Sequence, residues 1–269
     1  MNGTITRWIT RPVSDIGSFV LRMMLDLGGF ALLAGEVLRS LVSVRPSLRD
    51  LVYQLYFIGV KSQSVVLITG AFTGMVLCAQ AFFQFQKIKM ESGTLALVGV
   101  SMSSELGPVL TGLMVAGRVG AAMAAELGTM RVTEQVDALR TLATHPVDYL
   151  VIPRLLGTLI AMPLLTVEAV AVGIGSAYIV GVHFLGIDAT YAWAHMLKYT
   201  GKIDIMMGIF KGICFGMIIA LVGCYKGMNC REGAEGVGHA TTEAVVTASI
   251  AILMSNFFLT MALRGLFKT

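Results

Sequence analysis

Residues 205 to 225 read IMMGIFKGICFGMIIALVGCY, 21 positions with a single charge, Lys211. About 20 residues rising 1.5 Å each cross a hydrocarbon core of about 30 Å, so this stretch has the length and character of a membrane-spanning helix. Four further stretches match it: 62 to 86, 92 to 117, 155 to 183 and 244 to 263. The five hold 121 residues but only three of the 36 formal charges of the 269-residue chain, and the other 33 fall in the remaining 148 residues. The chain is 56% apolar and 13% charged, where a soluble domain carries about 25% charge. The reading is an all-α polytopic membrane protein with five transmembrane helices, forming one membrane-embedded domain over residues 62 to 263.

Several functions drop out on the same grounds. The net charge of +4 comes from Lys and Arg scattered between apolar runs, without the basic, aromatic-interleaved stripe that a nucleic-acid surface needs. Cys78, Cys214, Cys224 and Cys230 show neither paired metal spacing nor disulfide density, so no metal site is expected. Neither G-x-x-x-x-G-K-[ST], H-E-x-x-H nor G-x-S-x-G occurs, which removes the usual routes to phosphate cradling, zinc hydrolysis and acyl transfer. His239 and Glu243 sit one turn apart without a third ligand, and no catalytic residue is assigned.

Counted over alternate loops, Lys and Arg outside the spans number 13 and 6. The positive-inside rule then puts the N-terminus and loops 118 to 154 and 226 to 243 in the cytoplasm, with the C-terminus on the opposite side. Residues 1 to 61 are apolar but interrupted by Arg22, Asp26, Glu36, Arg39, Arg45 and Arg49. They read as an N-terminal interfacial amphipathic region, with Trp8 at headgroup depth and Leu48, Leu51, Leu55 and Ile58 on one face. A broken sixth span over 16 to 44 is the alternative. Small residues repeat at helical spacing at Gly70 and Gly74, Gly112 and Ala116, Gly117 and Ala121, with Gly173 and Gly175 close by. Such faces allow close backbone approach in lipid.

Glu105, Glu168 and Lys211 are the ionisable residues inside spans, each costing about 2.5–3.5 kcal/mol at mid-membrane on insertion scales. Glu105 precedes Pro108, which removes a backbone donor. It either walls an amphiphile site or pairs with Lys211. On the first span, Leu77, Gln84, Phe85 and Ile88 share one helical face suited to acyl chains or to helix packing. Between the second and third spans, Thr133 is placed to cap a short helix over 133 to 142, with Glu134, Gln135 and Asp137 near its positive end and Pro146 beyond it. That helix is either a connector or a docking element for a cytoplasmic partner.

The run Gly117-Arg118-x-Gly120-Ala-x-x-x-Ala125-Glu126-Leu-Gly128-x-Met130-x-x-Thr133-Glu134-Gln135-Val-Asp137-Ala-Leu139 strongly resembles the signature of the MlaE permease family. These are membrane subunits of ABC transporters that work with MCE-domain lipid-binding proteins. Supporting stretches are Gly70-Ala-Phe-Thr-Gly74-Met75-Val76-Leu77, Glu105-Leu106-Gly107-Pro108, Pro163-Leu164-Leu165-Thr166 and Gly236-Val-Gly238-His-Ala240-Thr241-Thr242-x-Ala244-Val245-Val246.

The resemblance implies a homodimeric permease in the inner membrane of a Gram-negative bacterium. It would move phospholipids between inner and outer membranes to maintain outer-membrane lipid asymmetry. ATP and Mg would be bound by a separate cytoplasmic ATPase, and lipid would pass through a periplasmic ring of MCE-domain protein, with a small STAS-type accessory subunit. Thr133, Glu134, Gln135 and Asp137 would fall on the coupling helix, and Glu105 and Pro108 would line the lipid cavity. Family members can carry Arg just before this Glu, where this chain has Ser104. The competing class is an ion- or proton-coupled secondary transporter of an amphiphile using Glu105 and Lys211. That class usually shows internal repeats, and five unequal spans offer none.

Overall fold

A computed structural model of the chain describes residue 21 and the stretches 24–25, 27–41, 47–231 and 233–266. Two compact units divide at residue 45. In the first, helix α1 covers 27–41, and Leu27, Leu32 and Leu38 are exposed along it. Trp8, and much of the expected interfacial region and of the alternative span at 16 to 44, lie outside the described residues.

The second unit is a helical bundle. Its elements are α2 (Leu48–Lys87), α3 (Glu91–Val132), α4 (Gln135–Thr141), α5 (Val147–Phe184), α6 (Ala189–Tyr199), α7 (Lys202–Met228) and α8 (Gly233–Leu266). Helices α2, α3, α5, α7 and α8 are long and apolar enough to span a membrane, and no strand occurs among the described residues. This agrees with the five-span, all-α reading.

The helix ends differ from the charge-defined spans. The first was expected at 62 but its helix begins at Leu48, so the Leu48–Ile58 face continues the spanning helix through a wide π turn at Tyr56–Val60. The second was expected to stop at 117, with a loop after it. Instead α3 runs 42 residues to Val132, about 63 Å, roughly twice the hydrocarbon thickness. The last helix likewise starts at Gly233 rather than 244. Hydropathy marks where the bilayer ends, whereas a helix ends where its backbone ladder is interrupted, and Arg118, Glu126 and Arg131 do not interrupt it.

The short segment after α3 also differs. Thr133 does not cap α4: it follows the last residue of α3, and its Oγ1 donates back to the Thr129 carbonyl at 2.9 Å. The N-cap is Glu134, held left-handed at φ 59°, a conformation costing a non-glycine residue about 1–2 kcal/mol. The helix stops at a second left-handed residue, Ala143 (φ 57°), while Pro146 precedes the first turn of α5.

Small residues set the packing of α2 on α5. A Cβ at Gly70 would meet the Ala169 carbonyl oxygen at 2.7 Å, and one at Gly74 would collide with the Gly173 carbonyl. Further down, Gly223 of α7 approaches the Gly120 carbonyl of α3. Gly117 and Gly175 belong to the expected small faces, but a Cβ added at either would meet nothing within 4 Å, so neither marks a close helix contact.

Candidate functional site

A polar cluster sits inside the bundle where α3, α7 and α8 meet. Lys211 is 1% exposed, and its Nζ donates to Glu105 Oε2 at 2.7 Å, to the Ser104 carbonyl at 2.9 Å and to Thr260 Oγ1 at 2.8 Å. An ammonium has three donors, and all three are used. Glu105, 29% exposed, also accepts from Asn256 Nδ2 at 3.2 Å, and Thr260 Oγ1 lies 3.1 Å from its Oε1. Of the two sequence readings for Glu105, the pairing with Lys211 is present, and the carboxylate keeps one open side.

The local sequence explains the cluster. In a regular helix the Ser104 carbonyl would accept from residue 108, but Pro108 has no N–H. The backbone widens into a π turn at Met102–Leu106, and Lys211 takes the acceptor. Buried ion pairs repay their desolvation only when their remaining lone pairs and protons are satisfied, which Thr260 and Asn256 help to achieve. Those two residues escaped the sequence reading. Their signal is polar side chains at i and i+4 in the uncharged run 244 to 263, which also holds Thr247, Ser249 and Ser255; that spacing places Asn256 and Thr260 on one helix face.

The other expected cavity residues are dispersed. Pro108 is buried beside the cluster. Leu77 packs against a core of Cys78, Phe82, Leu95, Val98 and Met102, while Gln84 and Ile88 are exposed, Phe85 is half-buried, and Ile88 lies beyond the last residue of α2. The described hydrogen-bond partners of Glu105 are on α7 and α8, so the α2 face is not joined to it. Glu168 accepts from Gln63 Nε2 at 3.2 Å, linking α5 to α2.

At the end of the bundle holding α4, ion pairs brace the extended helices. Arg154, 8% exposed at its side chain, reaches Glu126 at 3.0 Å and the Leu150 carbonyl at 2.7 Å. Arg118 donates to Ser62 Oγ at 2.6 Å and to the Phe57 carbonyl at 3.3 Å, in the wide turn of α2. Asp137 accepts from Arg131 at 2.7 Å and from Arg140 at 3.0 Å. Its carboxylate is therefore engaged within the turn, whereas Thr133, Glu134 and Gln135 are exposed. Leu142, just past α4, is 74% exposed. Among the described residues no group of three His, Cys, Asp or Glu converges as a metal site would require.

Comparisons with known proteins agree over nearly the whole chain. The family described as permease MlaE matches residues 51–262. A probable ABC transporter permease protein of Rickettsia felis is 42% identical over 247 residues, covering 92% of this chain and 95% of that protein. A probable ABC transporter permease protein of Synechocystis is 40% identical over 227 residues, 84% of this chain and 86% of its own length. The intermembrane phospholipid transport system permease protein MlaE of Haemophilus influenzae is 34% identical over 262 residues, 96% of this chain and 99% of that protein.

Proposed function

The chain belongs to the MlaE permease family, and on that premise we propose that it is the membrane subunit of an ABC transporter that moves phospholipid between inner and outer membranes. It works as a homodimer in a bacterial inner membrane, N-terminus cytoplasmic and C-terminus periplasmic. A separate cytoplasmic ATPase binds ATP and Mg and hydrolyses the nucleotide, and a periplasmic MCE-domain ring, with a STAS-type accessory subunit, completes the complex. This chain performs no covalent chemistry. It holds lipid and converts a push at its cytoplasmic end into a change in the bundle.

The turn between α3 and α5 carries the reading. Glu134 and Gln135 stand exposed at the start of α4, and Asp137 ties the turn to Arg131 of α3. A partner pressing on α4 therefore moves α3 as a lever, and the same continuous helix carries Glu105 further along. The least buried of the long helices is α8, with Ile250, Met254, Phe257 and Phe258 exposed. That face beside the open side of Glu105 is where a second copy encloses the lipid.

The test is coexpression with the partner ATPase. Glu134→Arg should abolish copurification and stimulated ATP hydrolysis while leaving the melting temperature of the permease unchanged. Full stimulation in that variant would remove α4 from the coupling path.

A further inference from the structure

Two cations meet at one aromatic ring where α2 and α3 leave the apolar part of the bundle. Lys61 Nζ lies 5.5 Å from the centroid of the Phe57 ring and 5.9 Å from that of Tyr56, and the Arg118 guanidinium carbon lies 5.7 Å from the Phe57 centroid. Lys61 immediately precedes the first charge-poor stretch and Arg118 immediately follows the second. Both therefore stand at the same rim of the hydrocarbon, the one assigned to the cytoplasm. Tyr53 and Tyr56, 62% and 52% exposed, have the amphipathic character of side chains at headgroup depth.

Neither cation is paired with a carboxylate of the described residues. The ion pairs there use Arg131, Arg140, Arg154, Lys211, Lys226 and His239. An aromatic face attracts a cation through its quadrupole but brings no negative charge, and two cations beside one ring repel each other. Arg118 Nη1 donates to the Phe57 carbonyl and to Ser62 Oγ, and the other guanidinium nitrogens bond to no described residue, although the group carries five N–H donors. Those nitrogens are not sealed off: the shielded, unpartnered side-chain atoms of the described residues include Arg154 Nε but no atom of Arg118. Lys61 is exposed, and a Cβ added at the neighbouring exposed Gly117 would meet nothing within 4 Å. The pair is thus open to a molecule outside the bundle.

We infer that Lys61 and Arg118 hold the phosphate of an anionic lipid headgroup from the leaflet on that side. Arg118 lies 13 residues along α3 from Glu105, about 20 Å at 1.5 Å per residue, so this is a lipid site separate from the Glu105 cluster. The guanidinium, oriented by Ser62 and the Phe57 carbonyl, offers its remaining N–H groups to phosphate oxygens in the fork geometry that suits them. Lys61, on a flexible four-carbon stem, closes on the same group as a point charge. At headgroup depth the anion at hand is lipid phosphate, which basic pockets between spanning helices collect. A zwitterionic headgroup brings its own cation and offsets less of the pair, so anionic lipid is preferred. The site depends on the chain spanning a membrane, and not on the transport reading.

The test is native mass spectrometry of the intact, detergent-purified permease titrated with phosphatidylglycerol or phosphatidylcholine, with and without inorganic phosphate. The wild type should retain phosphatidylglycerol at least threefold better than phosphatidylcholine, and inorganic phosphate should not displace it. Lys61→Ala should erase the preference. Arg118→Lys, which keeps the charge but loses the fork, should lower it at least twofold with the melting temperature unchanged. Lys226→Ala is the control, because that lysine already pairs with Glu243 at 2.9 Å, and it should leave the preference intact. Equal retention of the two lipids, a preference that survives Lys61→Ala, or an equal loss in Lys226→Ala would overturn the site. Displacement by inorganic phosphate would also overturn it, by showing a free-anion site. Lipid retention is read without ATPase or transfer, so failure here is distinguishable from failure of the transport reading.

Discussion

Lys211 of α7 takes the backbone acceptor that Pro108 leaves free in α3, donating to the Ser104 carbonyl at 2.9 Å while its neighbouring bond reaches Glu105 at 2.7 Å. A proline, a wide helical turn and a buried cation on another helix thus form one unit. The consequence is that Glu105 and Lys211 depend on each other for folding, and removing either leaves a charge without its partner.

Glu105→Leu alone is expected to destabilise the purified permease by about 3 kcal/mol, the usual cost of breaking a buried pair from one side. Lys211→Leu should cost a similar amount, and the double variant should recover most of the loss. Thermal melts of the four proteins in detergent give the coupling energy. Additive losses would show that the two residues act separately.

Transport should respond differently from stability. Glu105→Gln keeps a hydrogen-bonding group toward Lys211 and Asn256 while removing the charge, and is expected to lower lipid transfer more than dimer assembly. Comparing transfer rates with size-exclusion profiles decides it. A variant that loses assembly first would make the carboxylate a structural residue.

Helix packing gives a paired prediction. Gly74→Leu would drive a side chain into the Gly173 backbone and should cost at least about 2 kcal/mol, in the range of overpacked cores. A Cβ at Gly117 meets nothing within 4 Å, so Gly117→Ala should leave the melting temperature of the detergent-purified protein almost unchanged.

Cys230, between α7 and α8, reports sidedness. Burial raises its thiol above the ordinary cysteine value, so at neutral pH it holds less thiolate, the reactive form. Maleimide should label it more slowly than free cysteine, faster as pH rises, and only from the cytoplasmic face of sealed vesicles. Labelling from the opposite face would invert the topology.

The charge pattern revealed the number of spans because expelling charge from hydrocarbon is a composition effect, visible without knowing any contact. Helix ends were less legible: Glu126 and Arg131 continue α3 beyond the bilayer, and the pairing of Glu126 with Arg154 that holds it depends on residues 28 positions apart. Thr133 carried a cap signature, but the left-handed backbone at Glu134 starts α4 one residue later. Glu105 and Lys211 each stood out as costly, yet their union and the supporting roles of Asn256 and Thr260 follow from which helices pack together. That information is tertiary, spread over separations of 106 and 155 residues.

The most direct test of the central claim is lipid transfer from liposomes holding the permease with its partner ATPase and MCE-domain protein, followed with a fluorescent phospholipid. Transfer should require ATP, stop when the ATPase is omitted, and stop in Glu134→Arg even with every subunit present. Lipid movement driven by a pH gradient without the ATPase would contradict the account and make the chain a secondary transporter.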